Sequence, residues 1–154
     1  MKFRTAALIG LVLVFLLLSF LSSVSGIPLL TAGEKLPPAS SLKAGDVLTH
    51  VKVTAYCPCT KCCGPVAVGL TATGRDAWET LGVAVDFKSI PKNCTLEIPG
   101  VGQLVADDTG GAMRQDAKKG IYHIDVRFHS HEEAKKWGVQ LLEIKIVSIT
   151  GRQQ

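Results

Sequence analysis

Aromatic side chains are scarce in this 154-residue chain: five Phe, two Trp and two Tyr, 6% of the total. Charge of one sign is scarce too. The formal net charge is +4, and setting aside Lys2 and Arg4 leaves about +2 over the remaining chain. Without a basic stripe and interleaved rings, no nucleic-acid partner is expected. No segment repeats, which excludes solenoids and propellers. A nucleophilic Cys–His signature is also missing, so the five cysteines carry no case for thiol catalysis.

One long apolar run is present, at the start. Lys2 and Arg4 precede the nearly uninterrupted stretch Ala6 to Leu21, and the small-residue exit Ser22-Ser-Val-Ser-Gly26 follows. A basic flank, an apolar core and a small-residue exit make a secretory signal. Cleavage is expected near Ser25. The competing reading is an uncleaved anchor, since residues 6–24 are just long enough to span a bilayer. Either way the chain is exported, to a periplasm or cell envelope. Residues 27–44, with Pro28, Pro37 and Pro38, read as a linker, and residues 45–154 as one folded domain. A monomer is expected, in contact with membrane only through the N-terminal segment.

Within the domain the periodicity is that of strands. Val47, Val51 and Val53 recur at even spacing, with His50, Lys52 and Thr54 on the other face. Gly82–Asp86, Thr95–Ile98, Gln103–Ala106, Tyr122–Phe128 and Leu141–Ile149 are further strand segments. The single clear helix starts at Ser130, whose pairing with Glu133 makes a capping box, and stops at Gly138. Short strands with one small helix predict a mainly β fold, closed into a barrel that leaves no edge exposed.

Three aspartates then stand out. Asp86 ends its strand beside Ala84, Asp108 ends its own beside Ala106, and Asp125 lies within a strand. Alanine leaves room beside a carboxylate for a ligand. By the same alternation Asp107 falls on the opposite face from Asp108 and is expected to be solvated. His123 and Arg127 share the face of Asp125 and are read as a surface ladder.

The set Thr54-Ala-Tyr56, Cys57-Pro-Cys-Thr-Lys-Cys-Cys-Gly64, Leu70-Thr-Ala-Thr-Gly74, Val83-Ala-Val-Asp86, Ala106-Asp-Asp-Thr-Gly-Gly-Ala112 and Ile124-Asp125 resembles the 3D domain family, named for three aspartates. That family is similar to the C-terminal part of membrane-bound lytic transglycosylase A and, more distantly, to expansins. The resemblance implies a small six-stranded double-psi β-barrel and action on peptidoglycan glycan strands. It assigns Asp125 as acid/base of a lytic transglycosylase, with Asp108 and Asp86 completing the catalytic set. Thr54, Tyr56, Thr109, Gly110 and Gly111 are the expected substrate-binding positions. Like charges close together would raise the pKa of Asp125. The segment Ala112–Gly120 is longer than the family's usual link and reads as an extended loop. A non-catalytic, expansin-like glycan binder, with Tyr56 and Trp78 as stacking surfaces, is the alternative. A module binding calcium or magnesium through the aspartates is another.

The cysteines are read separately. Cys57, Cys59, Cys62 and Cys63 crowd one loop, with Cys94 apart. In an exported protein disulfides are the default, across the loop or to Cys94. Cys59-Thr-Lys-Cys62 also has zinc-knuckle spacing, which Cys57 or Cys63 could extend, but a second well-spaced pair is missing. No cofactor is expected, and no metal ligands are assigned.

Overall fold

The computed structural model describes residues 35–150. The expected secretory or anchor segment and the first part of the expected linker lie outside the described residues. Six strands close into a barrel: β1 (Val47–Tyr56), β2 (Val83–Ala84), β3 (Cys94–Ile98), β4 (Gly102–Asp108), β5 (His123–Arg127) and β6 (Gln140–Ile149). Around the barrel the order is β1-β5-β2-β4-β3-β6. The pairs β1/β5 and β2/β4 are parallel, and the other neighbours are antiparallel. The mixed order and closure are those of the small barrel that the sequence led us to expect.

The interior is built from β-branched and Leu side chains, among them Val51, Val53, Val83, Leu96, Ile124, Val126, Ile144 and Ile146, all fully buried. Such residues fit a pleated wall because their branched Cβ packs against cross-strand neighbours. Leu36 and Leu42 also join this core, and the Ala39 amide donates to the Lys88 carbonyl at 2.8 Å. The packed chain therefore begins before Gly45.

Of three register shifts in the ladders, two correct the simple alternation where it matters for the site and core. On β1, Leu48 and Val51 face successive partners Ile144 and Leu142 two residues apart, so β1 carries one extra residue. His50 absorbs it with a φ of 54°. Leu48 and Val51 both point inward as a result, while Val47 is half exposed. On β4 the register steps from Val83↔Ala106 to Ala84↔Asp108, which leaves Asp107 as the extra residue. That second bulge shapes the functional site.

Three short α-helices decorate the barrel among the described residues: α1 (Thr60–Cys63), α2 (Gly111–Lys118) and α3 (His131–Trp137). In α3 the Ser130 Oγ accepts from the Glu133 amide, and Gly138 ends the helix at positive φ, as its sequence requires. Trp137 packs on the core beside Phe128, with ring centroids 5.8 Å apart. The surprise is α2, which forms from the segment read as an extended loop. Its Met113 is buried and its Ala117 rests on the core, an i to i+4 pair that gives the segment one apolar face. Among the described residues no helix is long and apolar enough to cross a membrane.

Candidate active site

Cross-strand register sets four side chains in a row on the outer wall of the barrel. Thr54 of β1 stands opposite Asp125 of β5, Asp125 opposite Ala84 of β2, and Ala84 opposite Asp108 of β4. Two strand spacings, about 10 Å backbone to backbone, separate the two aspartates. The methyl of Ala84 between them leaves the space open. A cavity of about 500 Å³ lies there, lined by Ala84, Asp108 and Asp125, by Tyr56, and by Thr109, Gly110 and Gly111 at the start of α2. Its rim is apolar: Val66 and Val68 are 85% and 80% exposed, and Leu70 lies beside them.

Asp108 is held from three directions. The Ala72 and Thr109 amides donate to its Oδ1 at 2.9 and 2.8 Å, and the Tyr56 hydroxyl donates to its Oδ2 at 2.7 Å. Burial, followed by the bond to Asp108, pushes the Tyr56 phenol well above its ordinary pKa, so it stays a donor.

Asp125 has a different environment. Its Oδ1 lies 2.6 Å from Thr54 Oγ1, which lies 2.9 Å from His123 Nε2; His123 Nδ1 in turn lies 2.9 Å from Asp116 Oδ2 on α2. Lys52 Nζ also reaches Asp116, at 2.9 Å. A hydroxyl carries only one proton, and that fixes the possible states. With Asp125 ionised, Thr54 donates to it and accepts from His123 Nε2–H. With Asp125 protonated, its O–H donates to Thr54, Thr54 donates to neutral Nε2, and Nδ1 stands against Asp116 without a hydrogen bond of good geometry. Burial first, then the Asp108 charge, raises the Asp125 pKa, against the lowering pull of Thr54, His123 and Lys52. Burial first, then Lys52, lowers that of His123. Both shifts favour the protonated carboxyl with neutral imidazole.

Asp107 and Arg127 depart from their sequence readings. Both are completely buried. Arg127 Nη1 and Nη2 donate to the two Asp107 oxygens at 3.0 and 2.8 Å, and Arg127 also reaches the Thr80 carbonyl and the Tyr56 hydroxyl. Asp107 is therefore not solvated on a far face. The β4 bulge inserts it as an extra residue, so Asp107 and Asp108 enter one network through Arg127 and Tyr56. Gly82 is required here, because a Cβ would stand 2.5 Å from Asp107 Oδ1 and 2.6 Å from Arg127 Nη2. His123 is likewise buried rather than part of a surface ladder.

Residues 82–149 match the 3D domain family. The resemblance read from the motifs is the one the family model returns. The matched span contains Asp86, Asp108 and Asp125, while Thr54, Tyr56 and the cysteine loop precede it. Two curated proteins of Bacillus subtilis (strain 168) are similar. One, named "Putative cell wall shaping protein YabE", is 32% identical over 110 residues, which cover 71% of this chain and 25% of that protein. The other, named "Cell wall-binding protein YocH", is 34% identical over 83 residues, 52% of this chain and 27% of that protein. The chain thus spans about a quarter of the length of the curated relatives it matches.

Of the 3D aspartates, the structure brings Asp108 and Asp125 to the cavity and leaves Asp86 out of its lining. Asp86 organises a turn: its Oδ2 accepts from Ser89 Oγ at 2.8 Å, and its carbonyl accepts from the Ser89 and Ile90 amides. Thr54 meets Asp125 from the side without lining the cavity. Tyr56 is tied into the Asp108–Arg127 network, and Trp78 is half exposed outside the lining. The aspartates do not cluster as metal ligands. Sequence reasoning missed Asp116, which sits in the segment taken for a loop, and the roles of His123 and Lys52.

All five cysteines are free thiols, not the expected disulfides. Cys94 is fully buried in the core. Among the described residues one group could hold a metal ion, formed by Cys57, Cys59, Cys62 and His131, where the sequence reading assigned no ligands. Cys57 Sγ donates to Cys59 Sγ, which holds the Cys59 thiol down to about 6, while burial pushes Cys57 up to about 12.

Proposed function

We propose that the chain is an exported peptidoglycan-cleaving enzyme, a lytic transglycosylase in which Asp125 is both acid and base. The observation that carries this reading is a half-buried carboxyl lining the cavity, with its pKa raised and a hydroxyl and an imidazole behind it. Protonated Asp125 gives its proton to the glycosidic oxygen as that bond breaks, leaving an oxocarbenium-like centre. The ionised carboxylate then takes the proton of the muramic acid 6-hydroxyl as its oxygen closes onto C1. A 1,6-anhydro end forms, no water is consumed, and Asp125 returns to its starting state.

The other groups have distinct parts. Thr54, backed by His123, orients the Asp125 carboxyl, while burial and the Asp108 charge favour its proton-bearing state. Asp108, anchored by two amides and a phenol, is a fixed negative group across the cavity, where it accepts from sugar hydroxyls and faces the developing positive charge. Gly110 and Gly111 open the α2 end to the glycan, and Val66, Val68 and Leu70 offer apolar surface to its N-acetyl and lactyl groups. The relatives' printed names, with cell wall shaping in one and cell wall binding in the other, agree with a wall glycan as substrate.

Digestion of purified peptidoglycan by the full chain, read by mass spectrometry, tests the proposal. Anhydro-ended fragments are expected. Reducing ends would make the protein a hydrolase, and retention on the polymer without products would make it a binding module. N-terminal sequencing of native material tests export, with release near Ser25 expected and an intact Met1 in the membrane fraction meaning an anchor.

A further inference from the structure

We propose that Cys57, Cys59, Cys62 and His131 hold one zinc ion that fastens the loop after β1 to the start of α3. This does not depend on the catalytic reading. The four ligand atoms, Sγ of three cysteines and Nδ1 of His131, all lie within 4.8 Å of one another. His131 Nδ1 stands 3.8, 3.7 and 3.4 Å from the sulfurs of Cys57, Cys59 and Cys62, and Cys57 Sγ lies 3.6 Å from Cys62 Sγ. A tetrahedral zinc with ordinary bond lengths sets sulfur–sulfur edges of about 3.8 Å and sulfur–nitrogen edges of about 3.6 Å. Those four separations already match. The Cys57–Cys59 contact, 2.8 Å, is longer than any disulfide and is the edge that opens when the ion enters.

The donor set chooses the ion. Three thiolates and one imidazole are soft-to-borderline ligands with no carboxylate oxygen among them, which disfavours calcium and magnesium and suits zinc. Four protein ligands also close the tetrahedron, the mark of a structural rather than a catalytic site. The fourth sulfur of the loop is excluded by its own geometry, because Cys63 Sγ turns to the Cys57 carbonyl at 3.3 Å. In sequence terms the missing second pair is supplied by a single histidine some seventy residues on, brought there by the barrel.

The position gives the ion a task. Cys57 directly follows β1, which carries Thr54 and Tyr56, and Pro58, Cys62 and Cys63 form one wall of the cavity. The loop carries only the one-turn helix α1, with no strand pairing of its own, so a metal is its strongest tie to α3. Zinc would also keep exposed thiols from pairing in an oxidising compartment.

Metal analysis of the full chain, purified with reductant and without added metal, tests this. One zinc per chain is expected, and cobalt exchanged into the site should give the intense visible bands of tetrahedral thiolate ligation. His131→Ala should lose the stoichiometric metal, and His131→Cys should restore it with a spectrum shifted toward four sulfurs. Cys63→Ser and Cys94→Ser should keep one zinc. Chelation of the parent should lower its unfolding temperature and expose three thiols to alkylation. Disulfides among Cys57, Cys59 and Cys62 with no metal would overturn the proposal, as would an octahedral cobalt spectrum. Full zinc retention by His131→Ala with an unchanged spectrum would also overturn it. The cobalt spectrum of the parent decides even if a variant misfolds.

Discussion

On the barrel two acidic groups, Asp107 fully buried and Asp125 half-buried, stand under different rules. Asp107 meets a guanidinium that matches both its oxygens, and Arg127 spends its other donors on Thr80 and Tyr56. Asp125, on β5 and separated from β4 by β2, meets a single hydroxyl, with an imidazole behind it. A bidentate ion pair without solvent fixes the charge of both members. A carboxyl facing a hydroxyl can hold or release a proton, because the hydroxyl reverses its bond at little cost. The lesson is that burial by itself does not make an aspartate reactive; the nature of its partner decides. Asp108 falls between them, solvent-facing but held by two amides.

The contrast breaks most severely at Asp125. Asp125→Asn keeps size and most hydrogen bonding but cannot carry the proton, and glycan cleavage should fall by roughly two to four orders of magnitude in product-release assays. Its unfolding midpoint should hold or rise. Asp107→Asn should do the reverse. It strands a buried guanidinium, which costs about 3–5 kcal/mol in denaturant unfolding, and any loss of cleavage should track the unfolded fraction. Adding Arg127→Met should recover part of that stability.

Thr54→Val sharpens the comparison by cutting the link to His123 while keeping the β-branched shape. Cleavage should drop roughly 10- to 100-fold, the worth of one hydrogen bond to a charged group. The pH dependence of stability follows from His123. Its folded pKa is lowered, so the unfolded chain takes the proton first. Stability is complete above about pH 6.5 and declines as pH falls from there through the folded value. Thermal melts against pH should show the decline, and His123→Gln should flatten that window. The smallest effect belongs to Asp86→Asn, where an amide oxygen can still accept from Ser89. Stability should change by less than about 1 kcal/mol, and cleavage hardly at all.

Much of this wall was legible in the sequence. Alternation located all six strands to within a few residues, the Ser130–Glu133 pair located α3, and the aspartate motifs pointed to the cavity. Two of the three bulges defeated part of the rest. Period-two reasoning assumes one residue per step, so the extra residue at Asp107 turned an internal ion pair into an apparent surface charge. The other extra residue, near His50, exchanged Val47 for Leu48 in the core. Neither bulge has a glycine to announce it. Helix α2 escaped because only Met113 and Ala117 mark its apolar face, too few for periodicity to register. Asp116 was lost with it. His131 is remote from the cysteines in sequence, and only closure of the barrel makes them neighbours.

The central claim is that Asp125 keeps an exchangeable proton. Carboxyl carbon NMR of the full chain, labelled at aspartate and assigned with Asp125→Asn and Asp107→Asn, measures it directly. The account predicts that the Asp125 resonance titrates above the ordinary aspartate range, with a second inflection shared with His123 that disappears in Thr54→Val. An Asp125 resonance that titrates at or below about 3.9, with no trace of His123, would contradict the account.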